Sequence, residues 1–200
     1  MIIGPKYKIC KRLGASVFEK CQTQKFQLAE TRSPRRVKRG GSEFGAQLLE
    51  KQKARFMYGL SERQFSRYVH EAMEKKGSDS TGTLLSRLES RLDNVVFRSG
   101  FTKTRRAARQ AVSHGHITVN GRRVTIPSYC VTMGDVVAIR QESRISPLFA
   151  NRKEVAVEQT LPMWLSGDES GFAVTIQARP GVGEAEAAFD AAKTIQFYSR

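Results

Sequence analysis

Residues 91–129 read RLDNVVFRSGFTKTRRAARQAVSHGHITVNGRRVTIPSY, and three structural signals follow one another within them. Leu92, Val95 and Val96 continue an apolar stripe begun at Leu85 and Leu88, predicting a helix from Leu84 that stops at Gly100. Thr102 can cap a second, shorter helix that turns Ala108, Ala111 and Val112 inward and ends at Gly115. Ile117 and Val119 then alternate, Asn120-Gly121 follows, and Val124 and Ile126 resume the alternation. That dipeptide favours a type I′ turn, so a β-hairpin is expected. Two short helices feeding a hairpin make the fold α+β.

Upstream the pattern is helical. Glu43 to Tyr58 carries Phe44, Leu48, Leu49 and Phe56 on one side and stops at Gly59. Ser61 with Gln64 reads as a capping box, opening a helix whose Phe65, Tyr68, Val69, Ala72 and Met73 form its inner face. GSDSTGT at 77–83 is expected to be a loop. Downstream, Tyr129 to Met133 and Val136 to Ile139 read as strands around Gly134-Asp135, and residues 141–153 as a connector. Phe172, Val174 and Ile176 alternate as one more strand, and residues 184–193 read as helical. No internal repeat is visible.

The 200-residue chain holds 34 Lys and Arg against 19 Asp and Glu, a formal net charge of +15. A charge that far from zero calls for a polyanionic partner. It is also unevenly placed, at +10 over residues 1–60, +7 over 61–140 and −2 over 141–200. The first forty residues, with SPRRVKRGG at 33–41, lack a sustained apolar period. They read as an extended arm that orders against a nucleic acid. A solubilising tail or an Arg-rich transit peptide are the other readings. No apolar run reaches ten residues, so no membrane span is expected, and MIIGPKYK does not suit a secretory leader. Cys10, Cys21 and Cys130, odd in number and scattered, read as free thiols in a reducing compartment.

The chemistry concentrates in TKTRRAARQAVSHGH, residues 102–116. Lys103, Arg105, Arg106 and Arg109 are read as projecting outward from a helix whose inner face is mostly alanine. A helix N-terminus adds unpaired N–H groups suited to phosphate. Thr102, Thr104 and Ser113 can donate hydroxyls to phosphate or to a ribose 2′-OH. An amphipathic helix with a solvated basic face would look the same.

Residues 91–129 resemble the helix–helix–hairpin RNA-binding module called the alpha-L motif. GPK at 4–6, KQKARFMYGLSERQF at 51–65, Gly134-Asp135, Trp164-Leu165 and the terminal FYSR extend the likeness. Together they resemble the bacterial and plastid type of the small ribosomal subunit protein four family. The likeness is specific over 44–140, looser over 5–43 and weak over 141–190. It implies a structural constituent of the small subunit that is a primary binder of its ribosomal RNA, nucleates assembly of the subunit body and contributes to translational accuracy. It also implies contacts with neighbouring ribosomal proteins, no membrane and no small-molecule substrate. The implied location is the cytoplasmic small subunit, or the plastid stroma for an organellar chain.

The candidate RNA-contacting residues are Lys6, Arg12, Arg35, Arg36, Lys38 and Arg39 in the arm, and Lys51, Lys53, Arg55, Tyr58, Arg63 and Arg67 in the helical region. In the module they are Thr102, Lys103, Thr104, Arg105, Arg106, Arg109, Gln110, Ser113, His114, Asn120 and Arg122. Some members of the family hold zinc with four N-terminal cysteines. Here only Cys10 and Cys21 stand in that region, with no CxxC, so no metal and no cofactor are expected. His114 and His116 alone do not make a metal site. The same module is also appended to RNA-modifying enzymes such as pseudouridine synthases, whose catalytic aspartate lies in an Arg-Leu-Asp triplet. Arg91-Leu92-Asp93 has those letters, but it sits in an apolar helical period, and Asp93 reads as a structural carboxylate. A free-standing RNA-binding regulator and an RNA-modifying enzyme are the alternatives; the expectation is a non-enzyme. The domains expected are a basic arm at 1–43, a mostly helical lobe at 44–90 completed by 181–200, and an alpha-L lobe with a small antiparallel sheet at 91–180.

Overall fold

The computed structural model describes residues 4–14, 17–18, 21–26, 28, 42–75, 79–149, 161–180 and 189–199. The chain divides into two compact units, Met1–Leu84 with Glu186–Arg200, and Leu85–Ala185. Among the described residues no helix is long and apolar enough to cross a membrane.

The first unit contains α1 (Lys6–Leu13), α2 (Glu43–Met57), α3 (Glu62–Glu74) and, from the far end of the chain, α7 (Ala191–Tyr198). Ser42 caps α2 and Ser61 caps α3, each accepting a backbone N–H through its hydroxyl oxygen. The box at Ser61 is half made, because the Gln64 amide donates to the Tyr68 hydroxyl instead of reaching back. The inner face of α3 is Phe65, Tyr68, Val69 and Ala72, with Met73 at its margin. For α2 the apolar reading is corrected. Gln47, Lys51, Ala54 and Met57 are the buried residues, while Phe44 is exposed. The turn of α2 toward α7 decides this, since Lys51 finds Glu62 and an aromatic cover there.

Within the segment read as an extended arm, Lys6–Leu13 is helical and closes at Gly14 (φ +64°). Cys10, Cys21 and Phe26 form a small buried cluster with Val17 and Phe18 against it. Cys10 and Cys21 are joined as a disulfide, so the free-thiol reading holds for Cys130 alone. Local folding brings their Cα atoms to 6.6 Å, within bridging range, which spacing along the chain could not reveal.

The second unit opens with α4 (Ser80–Glu89), whose start lies in the first unit. The predicted loop at 77–83 is therefore helical from Ser80, because the Asp79 carboxylate accepts the Thr81 and Gly82 N–H groups at 2.9 Å each. The single helix expected from Leu84 to Gly100 is two, with α5 at Leu92–Arg98. Arg91 is extended and bridges Cys130, while the Leu92 and Asp93 N–H groups donate to the carbonyls of Tyr129 and Pro127. The stretch expected as a strand at 129–133 is consumed in making that break. Next come α6 (Arg105–Ser113), β1 (Ile117–Val119), β2 (Arg122–Arg123), β3 (Val136–Ile139), β4 (Leu165–Gly167) and β5 (Ala173–Ile176). A 3₁₀ turn at Gln141–Ser143 follows β3.

The sheet is antiparallel throughout, in the order β2-β1-β3-β5-β4. Ile117 faces Ile139, Val119 faces Val137, and Val137 faces Val174, so alternate residues load one side. Leu92, Val95 and Val96 of α5, and Ala108, Ala111 and Val112 of α6, pack in the same core, with Trp164 and Phe149. Asn120 (φ +50°) and Gly121 (φ +78°) make the type I′ turn. Ile126, expected to continue the alternation, is exposed beyond the two-residue β2.

Candidate nucleic-acid interface

The site is built on α6. Its cap is Thr104, not Thr102; the Thr104 hydroxyl oxygen accepts the Ala107 N–H at 2.8 Å, and the Thr102 hydroxyl donates to the Thr104 carbonyl. With Ala108, Ala111 and Val112 buried, a stripe of Arg106, Gln110 and Ser113 is exposed, flanked by Lys103 and His114. Arg122 and Arg123 of β2 are exposed too, and the Arg123 guanidinium donates to the His114 carbonyl over Gly115. Among the described residues Lys103, Arg106 and Arg122 have no ion-pair partner. A cation in that state can neutralise a phosphate at no cost in broken contacts.

Two arginines depart from the outward reading. Arg105 donates from Nε to the Asn94 Oδ1 at 2.8 Å and lays its guanidinium over the Phe97 ring at 4.4 Å. Arg109 donates from Nε and Nη2 to the Asp93 Oδ2 at 2.9 and 2.7 Å. Asp93 also accepts from Arg91, at 3.0 and 2.7 Å, and its side chain is 4% exposed. Beside it Glu89 accepts from Arg98 and from the Asn94 amide. Positions 105 and 109 are one turn apart and face α5, where Asn94 and Asp93 receive them; sequence reasoning assigned every charge on α6 to solvent. The signal that could have revealed this is Asp93 and Glu89 lying in an otherwise apolar stripe, since a buried carboxylate needs cations.

Asn120 is also occupied. Its amide donates to the Asp135 carboxylate at 2.8 Å and its carbonyl oxygen accepts the Val136 N–H at 2.8 Å. Burial alone would raise the Asp135 carboxyl, but the Thr132 N–H, Asn120 and the Thr132 hydroxyl outweigh it and hold the pKa below the usual range. His116 contacts Ser143 through Nδ1 and stands against Phe149, so it is a packing residue.

Residues 1–89 match the family model described as "Ribosomal protein S4/S9 N-terminal domain", and residues 90–137 match "S4 domain". Small ribosomal subunit protein uS4 of Acetivibrio thermocellus is 44% identical over 189 residues, 90% of each chain. The uS4 proteins of Natranaerobius thermophilus and Roseiflexus castenholzii are 42% and 43% identical over 98% or more of each chain. The chain belongs to the uS4 family.

The remaining candidates in this uS4-family chain lie in the first unit, and most are engaged. Lys51 donates to Glu62 at 2.7 Å and stands 4.4 Å over the Phe197 ring, with its side chain 8% exposed. Arg55 reaches the other oxygen of Glu62 at 2.7 Å, and Lys53 pairs with Glu50 at 2.6 Å. Tyr58 is 2% exposed, with Phe189 edge-on. Lys51 and Tyr58 are thus internal, a correction to their reading as RNA contacts; Phe197 and Tyr198 of α7 cover Lys51, and Phe189, just before α7, stands against Tyr58. Arg63 is exposed, and Arg67 lies 3.5 Å from Glu71. In α1, Arg12 is exposed and Lys6 is half-buried near Phe18. Arg35, Arg36, Lys38 and Arg39 lie outside the described residues. The zinc pattern of some uS4-family members does not fit, since Cys10 and Cys21 bond each other. Among the described residues no group of three or more His, Cys, Asp or Glu side chains could hold a metal ion.

Proposed function

We propose that this chain is a structural, non-catalytic constituent of the small ribosomal subunit that binds its ribosomal RNA through the α6–β1–β2 face of the second unit. The observation that carries the reading is the exposed stripe of Arg106, Gln110 and Ser113, with Lys103 and Arg122 beside it. Cations and hydrogen-bonding side chains on one small motif suit phosphate and 2′-OH groups, and RNA shape more than base sequence. Membership of the uS4 family supports the ribosomal assignment, and with it the reading of an early RNA binder that nucleates the subunit body, touches neighbouring ribosomal proteins and bears on accuracy. The net positive arm extends the same electrostatics.

The enzyme alternative has one candidate residue, Asp93. Its carboxylate is buried and shared by two arginines, an arrangement that suits an anchor and leaves no open face for a substrate. The test is filter binding of the full chain to in vitro transcribed small-subunit ribosomal RNA. Arg106→Ala and Lys103→Ala should each weaken binding while circular dichroism stays unchanged. Unaltered affinity in the double variant would sink the assignment of this face to RNA. Nucleoside mass spectrometry of RNA incubated with the protein should find no new nucleoside.

A further inference from the structure

We infer that the Cys10–Cys21 bond is a redox-controlled fastener: made, it keeps the N-terminal segment folded for contact with RNA, and broken by thiols, it releases that segment. The inference rests on the RNA-binding reading above. Among the described residues the cluster it closes has three buried members, Cys10, Cys21 and Phe26, with Val17 and Phe18 partly buried against them. Tyr7 stacks on Phe26 at 5.4 Å, and Phe18 meets Phe56 of α2 edge-on at 6.1 Å. So few apolar side chains do not offset the entropy lost in ordering the chain around them, and a cluster of this size needs a staple. The bond joins residues 11 apart, a span over which a cross-link shifts the balance of closed to open segment by about a hundredfold.

The bond is exchangeable for the same reason that it is needed. Both sulfurs are buried while the segment is closed, with Cys10 1% and Cys21 0% exposed, but a small cluster opens locally at lower cost than a protein core. Residues 1–28 hold six Lys and Arg and one acid, Glu19. In the opened segment that charge favours the thiolate, the form that attacks and leaves in exchange. The reaction partner is a low-molecular-weight thiol–disulfide pair. On closing, one Cys thiolate attacks the small disulfide, forming a mixed disulfide and expelling one thiolate. The second Cys thiolate attacks the protein sulfur of that mixed disulfide, which forms the Cys10–Cys21 bond and expels the other small thiolate. Two protein thiols are oxidised, one small disulfide is reduced, and the two protons lost by the cysteines pass to the leaving sulfurs. Lys8 and Lys25, one on each side of the bridged loop, are exposed. A closed segment offers such cations to a phosphate backbone already in place, whereas a released one must be ordered on binding.

The test uses the full chain carrying Cys130→Ser, so that the one free thiol among the described residues takes no part. It is treated with glutathione disulfide or with dithiothreitol, and alkylation followed by mass spectrometry reads the state of Cys10 and Cys21. Without RNA, tryptic cleavage at Lys8, Lys11, Arg12 and Lys25 should be faster in the reduced protein by about tenfold or more, and glutathione disulfide should restore protection. Affinity for in vitro transcribed small-subunit ribosomal RNA should fall about two- to tenfold on reduction. Adding Cys10→Ser and Cys21→Ser should give the reduced behaviour under both treatments. Equal cleavage of the two states overturns the inference, as does a bond that dithiothreitol leaves intact in the folded chain. Equal RNA affinity of the two states, with Arg106→Ala binding more weakly, also overturns it and leaves the RNA-binding reading standing. Affinity unaltered by reduction and by Arg106→Ala alike overturns that reading, and the inference with it.

Discussion

Arg106 and Arg109 stand three positions apart on one helix and have opposite fates. Arg106 is exposed, and its replacement by alanine should change the unfolding free energy, read from urea denaturation curves, by no more than about 0.5 kcal/mol. Asp93→Ala strips the carboxylate from both Arg91 and Arg109 in a buried setting and should cost about 3–5 kcal/mol, read from the same denaturation curves. Near-equal losses for the two variants would contradict the inward placement of Arg109. A second residue-scale prediction concerns Gly115, which adopts φ +78° with the Arg123 guanidinium where a Cβ would go. Gly115→Ala should cost about 1–2 kcal/mol for the left-handed backbone, and little more, since the Arg123 end can swing aside. At this scale the sequence was read well where one dipeptide encodes one geometry, as Asn120-Gly121 does. It was misread where a charge points inward, because hydropathy alone assigns Arg105 and Arg109 to water.

The cluster joining α2, α3 and α7 shows the same limit at the scale of elements. Helix α3 was legible because its buried residues are all apolar and keep one period. In α2 the buried stripe includes Gln47 and Lys51, and nothing local says that Glu62, Phe197 and Tyr198 will cover them. The edge strand β4 went unseen because Leu165-Ser166-Gly167 is too short to alternate. The break at Arg91 went unseen because its partner, Cys130, comes from a loop far along the chain. Glu62 gives this cluster a pH signature. Burial raises its pKa, but Lys51, Tyr198 and Arg55 outweigh that and lower it. The folded state then releases its proton at lower pH than the unfolded state does. Its contribution is present above the ordinary glutamate range near 4.5 and is lost as pH falls through the lowered value. The stability gap between the wild-type chain and Glu62→Gln should therefore be full at pH 7 and shrink below about pH 4.5. A gap that widens on acidification would refute the pairing. The Tyr198 hydroxyl, raised by burial and by Glu62, stays protonated and keeps donating across this range.

For the whole molecule the governing quantity is salt. Each phosphate neutralised contributes a slope of roughly 0.7–0.9 in log affinity against log salt. Lys103→Ala and Arg106→Ala together should reduce the slope for RNA binding by about 1.4–1.8, while Lys53→Ala, whose charge is already met by Glu50, should leave it unchanged. A titration from low to moderate potassium chloride reads both.

The first unit draws α7 from the opposite end of the chain, with Phe197 on Phe44 and Tyr198 bonded to Glu62. During synthesis, then, the segment made first cannot finish folding first. All of Leu85–Ala185 must emerge before α7 exists to cover Lys51. At roughly 5–20 residues per second, α2 and α3 wait about 5–20 s with that face bare. The second unit is contiguous and needs no such wait, so a released chain truncated near residue 185 should already have a protease-resistant second unit and a still-cleavable first one.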